Sequence, residues 1–510
     1  MATVREILVG RNRLLAANTH PDYRRTINDM NTVRDCMEGS PTIKRYTYDY
    51  LPHPSQVDAN DPEQKIRYAE YIHGAEFDSY PDDTRRTLIG KMRIHDTVTK
   101  FPDRIDYLYQ DFDGDGMSIN GAIEYSANNI LQMKWHVLVS DYQGLSDVDL
   151  RSISIADLEQ ANARASVKQY TRENVVNWHF DRVNGAMQLR FIMLLERGYD
   201  FKYSSLEHTV IESYLILALD EEGNYYQQKV VYKDTGFEEG ERSYVTVNGQ
   251  PMKWLPVVIV SDEELDQNKL PIGLGYLYPI CELTLNRYRV SAVYKEAQRN
   301  LPPTIMTTGW KSGDMEIFKE ANGGRSYIAT GGRAVNNLPD EVQYGILSPN
   351  TSFEDFHWYF SNNEKQIKSM GGTARRESGN MTAKEADIDA NNQNALLESL
   401  ASSVEDGFRR AISYCAMFEG LWSPDEVEAR LDEIQVDMPR DFATPKLSVD
   451  EVRTIMDMVM NGLRTREQAV KQLAAGGWDL QDAELTLIEL DEAAPMIGDN
   501  LTQPPAQGDN

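Results

Sequence analysis

Arg375 and Arg376 stand side by side in GGTARRESGNM (371–381), a Gly/Ser-rich stretch between two segments of helical pattern. Residues 364–385 hold Lys365, Lys368, Arg375, Arg376 and Lys384 against Glu364, Glu377 and Glu385, a local +2 in a chain of net −28. Guanidinium and ammonium groups on an irregular connection are suited to contacting phosphate, bidentately in the case of arginine. The same composition also suits a solvated surface turn. The phosphate reading needs several copies brought to one level, because one such loop offers few charges.

A second constellation is acidic. Asp111, Asp113 and Asp115 precede Gly116 in DFDGDGMSINGAIEY, which starts like an EF-hand loop, with carboxylates at positions 1, 3 and 5 and glycine at 6. Position 12 is Ala122 where a bidentate Glu is needed, and Glu124 comes two residues late. An acidic turn capping a helix that starts near Ser118 therefore fits better than a calcium cage. The eight histidines (20, 53, 73, 95, 136, 179, 208 and 357) show no metal-ligand spacing, and His357, between Phe356 and Trp358, reads as packed. TTGWKSGD (307–314) and TGGRAV (330–335) lack the spacing of a nucleotide-binding loop. No pattern of nucleophile, base or cofactor cradle stands out, so neither enzymatic activity nor a cofactor is expected.

Composition narrows the classes further. Over 510 residues, 52 Lys+Arg face 80 Asp+Glu. A protein that grips DNA replaces counterions with many basic contacts, and this balance opposes that. An acidic chain can still surround DNA that it must not hold. The longest apolar run is WLPVVIV (254–260), far below the ~18 residues of a membrane span. The first 20 residues carry three arginines through their apolar part, which argues against a signal peptide and for a cytoplasmic chain. Cys36, Cys281 and Cys415 show no CxxC spacing and read as free thiols.

Several elements must position these groups. The first 135 residues read as helices, with Asp61-Pro62-Glu63 as one start. Residues 151–270 read as a mixed, mostly antiparallel sheet, with hairpins at Asn184-Gly185 and Asn248-Gly249 and a turn at Glu222-Gly223-Asn224. A helix over 278–300 carries the stripe Cys281, Leu285, Tyr288, Ala292 and stops before Pro302-Pro303. A glycine-rich stretch of strand-like YIATG and VQYGIL follows. A second helix then opens on the capping pair Thr351/Glu354, runs through Phe353, Phe356, Phe360, Ile367 and Met370, and closes at Gly371-Gly372. Thr382/Glu385 opens a long helix with Leu397, Leu400, Val404, Phe408, Ala411, Cys415 and Phe418 on one face. Ser448/Glu451 and Thr465/Gln468 are capping pairs of short C-terminal helices, with stops at Asn461-Gly462 and Gly476-Gly477. The last dozen residues read as disordered. Two helices of similar length around a compact insertion suggest an antiparallel stalk with a small β-containing tip.

This order resembles the portal, or head-to-tail connector, proteins of tailed bacteriophages. The local text carries the resemblance: YLPHPSQVDANDPEQKIRYAEYIHGAEF, LNRYRVSAVYKEAQRNLPPTIMTTGW and TARRESGNMTAKEADIDANNQNALLESLASSVEDGFRRAI. It covers about residues 40–490 and lies in order and wording, since the family has no catalytic motif. It implies an α+β, mainly helical portal fold assembled as a ring, usually of twelve subunits. Residues 1–275 would be the wing, 276–301 and 351–371 the two stem helices, and 302–350 a small α/β clip. Residues 372–382 would be the tunnel loop, 383–445 the long wing helix and its return, 446–497 the crown, and 498–510 a disordered tail.

The resemblance further implies a channel at one capsid vertex for packaging and ejecting double-stranded DNA, with Arg375, Arg376, Lys368 and Lys384 as contacts that read no sequence. Trp310, Lys311, Arg325 and Arg333 of the clip would dock the terminase large subunit and later a head-tail adaptor. Major capsid and scaffold protein would meet the wing. The protein would belong to the virion, after assembly in the host cytoplasm. Twelve stem helices about 10 Å wide, side by side, would enclose a bore of roughly 28 Å, enough for one hydrated duplex. The competing reading is an acidic cytoplasmic interaction or scaffold protein that forms no ring.

Overall fold

The computed structural model describes residues 19–52, 62–93, 97–143, 164–183, 186–203, 206–233, 236–247, 249–263, 270–299, 304–311, 313–321, 342–347, 352–371 and 383–440, with 454, 455, 458, 459, 465, 468 and 469. Helices α1 (Pro21–Glu38), α2 (Ser40–Arg45), α3 (Thr47–Tyr50), α4 (Pro62–Gly74) and α5 (Tyr80–Met92) come first, then β1 (Val98–Lys100) and α6 (Ile119–Met133). Strands follow: β2 (Trp135–Gln143), β3 (Arg164–Thr171), β4 (Val175–Val183), β5 (Ala186–Lys202), β6 (Glu207–Leu219), β7 (Tyr225–Lys233), β8 (Gly236–Glu239), β9 (Ser243–Tyr244), β10 (Thr246–Val247), β11 (Gln250–Pro251) and β12 (Val257–Ser261). The remainder is α7 (Tyr278–Arg299), β13 (Thr304–Thr308), α8 (Asp314–Ala321), β14 (Gln343–Leu347), α9 (Glu354–Ser369), α10 (Ala383–Phe418) and β15 (Gln435–Asp437). The fold is α+β. No described helix is long and apolar enough to cross a membrane.

Two units divide the chain, Met1–Pro439 and Arg440–Asn510. In the second, Thr465 and Gln468 make both bonds of the expected capping box, Gln468 N to Thr465 Oγ1 at 3.3 Å and Thr465 N to Gln468 Oε1 at 3.4 Å. The Ser448/Glu451 pair, the two glycine stops and the tail lie outside the described residues.

In the first unit the β region is two antiparallel sheets, ordered β12-β2-β3 and β4-β5-β6-β7-β8, with β9 also on β7. β4 and β5 close with Val183 opposite Ala186, so the Asn184-Gly185 step, itself outside the described residues, joins paired strands as expected. β6 and β7 meet at Leu219↔Tyr225. There Asp220 Oδ1 accepts Asn224 N at 2.8 Å and Gly223 takes φ +79°, which glycine tolerates. The second Asn-Gly hairpin is shorter than its flanking text suggests. Only Thr246-Val247 and Gln250-Pro251 pair, and the VVIV run joins β2 instead. Pro251 and Pro256 break the run after the turn, and the apolar strand is then taken by a sheet edge that α10 covers.

α10 is the central support. Leu397, Leu400, Val404, Phe408, Ala411 and Cys415 are all fully buried, as their spacing requires. Phe408 stacks on Phe112 (centroids 5.0 Å apart), and Ser140 Oγ donates to Ala411 O at 2.8 Å. At Gly407 a Cβ would lie 2.5 Å from Val260 Cγ2, so glycine lets the helix seat directly on β12. Nearby, His136 is buried on β2 with Nε2 2.6 Å from Ser126 Oγ, and burial pulls its pKa down to about 3.

A second core joins the N-terminal helices to α7. Cys281, Leu285, Tyr288 and Ala292 are buried among Met30, Val33, Cys36 and Tyr71. The stalk helix is thus half embedded in its own chain, with Glu282, Asn286, Arg289 and Val293 on its exposed side. All three cysteines are free and buried, and Cys36 and Cys281 share this core.

Candidate functional site

α7 and α9 run antiparallel. At one end the Tyr294 ring lies 5.5, 5.4 and 5.7 Å from those of Phe353, Phe356 and Phe360. Near the other end Asn363 Nδ2 donates to Leu283 O at 3.1 Å, and the Tyr276 hydroxyl donates to Met370 O. Between them Arg287 ties α7 to α9 and to the segment that precedes α5. Its Nε donates to Asp78 Oδ2 at 2.8 Å, Nη1 to Phe360 O at 3.0 Å and Nη2 to Glu364 Oε1 at 3.1 Å. The guanidinium also lies over the Phe360 ring at 4.8 Å, a cation–π contact. Tyr80 OH donates to the same Glu364 oxygen at 2.9 Å.

α9 starts at Glu354, whose N–H donates to Ser352 Oγ at 3.3 Å. The expected partner Thr351 lies outside the described residues. Its end is as expected: Gly371 takes φ +75°, and its N–H donates to Lys368 O at 2.8 Å. One side of α9 faces α7 and the other is open, leaving Trp358 69% exposed. His357 is also exposed, not packed, because it falls on that open side and only edges the Tyr294 ring at 6.0 Å.

The end of α9, just before the segment that carries Arg375 and Arg376, is clamped. Gln393 Nε2 on α10 donates to Gly371 O at 2.8 Å, and Lys91 Nζ on α5 donates to Gln393 Oε1 at 2.6 Å. Burial lowers the Lys91 pKa from its ordinary value. A Cβ at Gly371 would fall 2.0 Å from the Tyr276 hydroxyl. Gly371 is therefore held in place at the end of α9. Residues 372–382, with Arg375 and Arg376, lie outside the described residues, as does the side chain of Lys384 in the first turn of α10. Lys368 is half-buried in the last turn of α9, and Lys365 is exposed.

At the other end of the helix pair is the tip. β13 and β14 pair antiparallel from Thr304↔Leu347 to Thr308↔Gln343. Trp310 turns inward, its ring 5.3 Å from buried Phe318 of α8 and its Nε1 donating to Thr307 Oγ1 at 2.9 Å. Lys311 is exposed, and its N–H is capped by Asp314 Oδ2 at 2.9 Å. Arg325 and Arg333 lie outside the described residues. Beyond Lys311, the exposed surface of α8 includes Ile317 and Met315.

The acidic loop satisfies itself. Asp111 Oδ1 accepts Gly116 N at 2.8 Å, and Asp113 Oδ1 accepts Asp115 N at 2.9 Å and Met117 N at 3.0 Å. Asp111 Oδ2 pairs with Arg164 at 2.5 Å. Ser118 then caps α6, its Oγ accepting Gly121 N at 3.3 Å. Among the described residues no group of three or more His, Cys, Asp or Glu is arranged to hold a metal.

The sequence does not single out Arg172. It is 3% exposed, with Nη1 donating to Met133 O at 3.1 Å and Nη2 to Ile272 O at 2.8 Å, its guanidinium 5.2 Å from the Trp135 ring. Burial lowers its pKa to about 10. It fixes the segment that enters α7 to the end of α6. Tyr276, Lys91 and Gln393 are likewise silent in the sequence, because their partners lie tens to hundreds of residues away.

Residues 277–419 match a family described as a domain of unknown function, DUF4055. No functionally curated protein matches the chain. Among solved structures, it is similar to a chain in the neck of an empty gene transfer agent (GTA) particle computed with C6 symmetry, at 10% identity and TM-score 0.39 over 77% of this chain and 88% of that one. It is also similar to a chain in the virion of the native GTA particle, at 10% identity and TM-score 0.41 over 85% and 98%. A chain in the neck of the native particle computed with C12 symmetry gives 9% identity and TM-score 0.36 over 86% and 99%.

Proposed function

We propose that this chain is the subunit of a portal-type ring that conducts double-stranded DNA and catalyses no reaction itself. One observation carries the reading. The antiparallel pair α7/α9 holds a small β13–β14/α8 tip at one end, and at the other a clamped exit into the segment bearing Arg375 and Arg376. The sequence resemblance assigns a docking tip, a stem and a tunnel loop to the same three places in the same order. The open side of α9, with Trp358, would face the next copy.

Charge accounts for the work such a ring does. A subunit of net −28 repels a duplex as a whole, while Arg375, Arg376, Lys368 and Lys384 would offer a few phosphate contacts at one level. Each contact adds to a salt-dependent hold and reads no sequence. Few contacts make shallow wells, and DNA slides. The tip would receive the terminase large subunit and later a head-tail adaptor, and the β region would meet capsid and scaffold protein.

The test is the double variant Arg375→Ala/Arg376→Ala. It should form rings of about a dozen subunits by negative-stain microscopy, as the parent does, yet package or retain less DNA. Full-genome packaging and retention by the double variant would remove the tunnel role from these arginines, and particles without rings in the parent would remove the portal reading.

A further inference from the structure

β5 and β6 outrun their neighbours. β4 stops against β5 at Val175↔Leu194, and β7 stops against β6 at Val231↔Ser213. From Arg197↔Glu212 to Lys202↔Glu207 the two strands pair with each other and with no other described strand. Six residues at about 3.4 Å each make a ribbon of roughly 20 Å, whose inner residues Arg197, Tyr199 and Ile211 still line a cavity with Asp113, Asp115 and Lys168. A two-stranded ribbon alone is marginal in water.

Its two faces differ. Strand alternation puts Arg197, Tyr199 and Phe201 on one face, with His208, Val210 and Glu212 across from them. Phe201 and His208 rings are 4.7 Å apart, and Phe201 and Tyr203 4.9 Å. Tyr199 is 75% exposed, Tyr203 87%, Leu206 73% and Val210 58%. Leu206 moreover holds φ +55°, a left-handed conformation that L side chains avoid and Gly or Asn would take more readily. Neither the exposed rings nor that leucine helps a solitary chain fold.

Charge and area point to the occupant. Arg197 and Glu212 neutralise each other on this face, with Nε 3.1 Å from Oε1, in a chain of net −28. Copies of such a chain repel, so they meet best where net charge is scarce, whereas a basic partner would call for an acidic surface. Tyr199, Tyr203, Leu206 and Val210 at these exposures offer on the order of 500 Å² for burial, the larger part of the ~800 Å² per partner of a standard interface.

We propose that this ribbon is a docking arm whose apolar face seats on a second copy of this chain, the neighbour in the ring. The inference rests on the ring reading above. Tyr199→Thr with Val210→Thr keeps strand-forming residues while stripping the apolar surface. Sedimentation velocity of the full chain over a concentration series reads assembly, and far-UV circular dichroism reads folding. The double variant should fold as the parent does and need at least 100-fold more protein to assemble. Leu206→Gly, which relieves the positive φ as it removes the exposed side chain, should raise that midpoint at least tenfold at undiminished stability, and serves where the double variant misfolds. Variants that assemble at parental concentrations overturn the arm and leave the ring standing. A parent chain that stays monomeric at every concentration overturns both.

Discussion

Replacing Arg287 with methionine should loosen α9 from the rest of the first unit. Methionine keeps most of the aliphatic stem, so the change isolates the charge. Three charge-assisted hydrogen bonds go, and the carboxylates of Asp78 and Glu364 lose their cation. The three side chains are 15%, 27% and 20% exposed, so water compensates only in part. Breaking a buried pair from one side costs about 3–5 kcal/mol and an exposed one under about 1. This site falls at the lower end of the buried range, about 3 kcal/mol, or roughly 150-fold in the opening equilibrium.

Hydrogen exchange measured by mass spectrometry on peptides of Glu354–Ser369 reads that opening directly, and urea unfolding gives the global cost. Protection should fall in α9 and stay in α10, whose core does not touch Arg287. A double-mutant cycle with Glu364→Gln should show coupling of about 1–2 kcal/mol. Tyr80 keeps a hydrogen bond to the amide oxygen, so Glu364→Gln alone is the milder change. Unchanged exchange in α9 and a stability loss under about 0.5 kcal/mol would refute the reasoning, and the aromatic contacts of Tyr294 alone would then hold the helix.

Two further outcomes follow from single positions. Gly371→Ala puts a methyl at φ +75° and 2.0 Å from the Tyr276 hydroxyl, displacing its bond to Met370 O, so stability in urea should drop by about 2–3 kcal/mol; a variant as stable as the parent contradicts the clamp. His136 stays neutral in the fold because burial pulls its pKa to about 3, while the unfolded chain binds a proton near 6.5. Its contribution is complete above pH 6.5 and falls as pH drops toward 3, by up to about 1.4 kcal/mol per unit. Asp141 and Glu173 act with the opposite sign, since burial raises their pKa values and favours the protonated fold. His136→Gln should flatten the stability profile between pH 4 and 6 by one proton relative to the parent, and parallel profiles would show that His136 is not the titrating group.

Much of the fold was legible because burial leaves a period in the sequence. The stripe Cys281-Leu285-Tyr288-Ala292 is buried throughout, and so is the one from Leu397 as far as Cys415, with its last member, Phe418, half-buried. The hairpins flanking Asn184-Gly185 and Asn248-Gly249 and the capping box at Thr465 are local chemistry, and local chemistry is written in spacing. Periodicity states which face is covered and not by what. It gave no hint that the first stalk helix spends its stripe on Met30, Val33 and Tyr71 of its own chain. Nor did it show that Val257–Ser261 would leave its hairpin for β2, a choice made by a vacant sheet edge over a hundred residues back. The knot at Arg287 joins Asp78 and Glu364 across 209 and 77 positions, a separation at which no motif exists. His357 misled because its aromatic neighbours lie on both sides of a helix whose outer side is bare.

The two ends of the helix pair are built from different forces, and the difference bears on the roles proposed for them. The tip end is aromatic: Tyr294 against Phe353, Phe356 and Phe360 is close in area and loose in direction, which would suit a segment that accepts successive partners, as the proposed function has it. The loop end is a chain of directional bonds running from Met370 and Gly371 through Tyr276, Gln393 and Lys91. Hydrogen bonds resist displacement along their axes, so these bonds tie the end of α9 to α5, to α10 and to the segment that enters α7. α10 in turn rests through Gly407 on the Val260 side chain of β12. In the ring proposed above, residues 372–382 would brake moving DNA with a few charges, and a segment with that task would need such a base. Weak contacts set a reproducible resistance only when the atoms that carry them return to the same place after each phosphate passes.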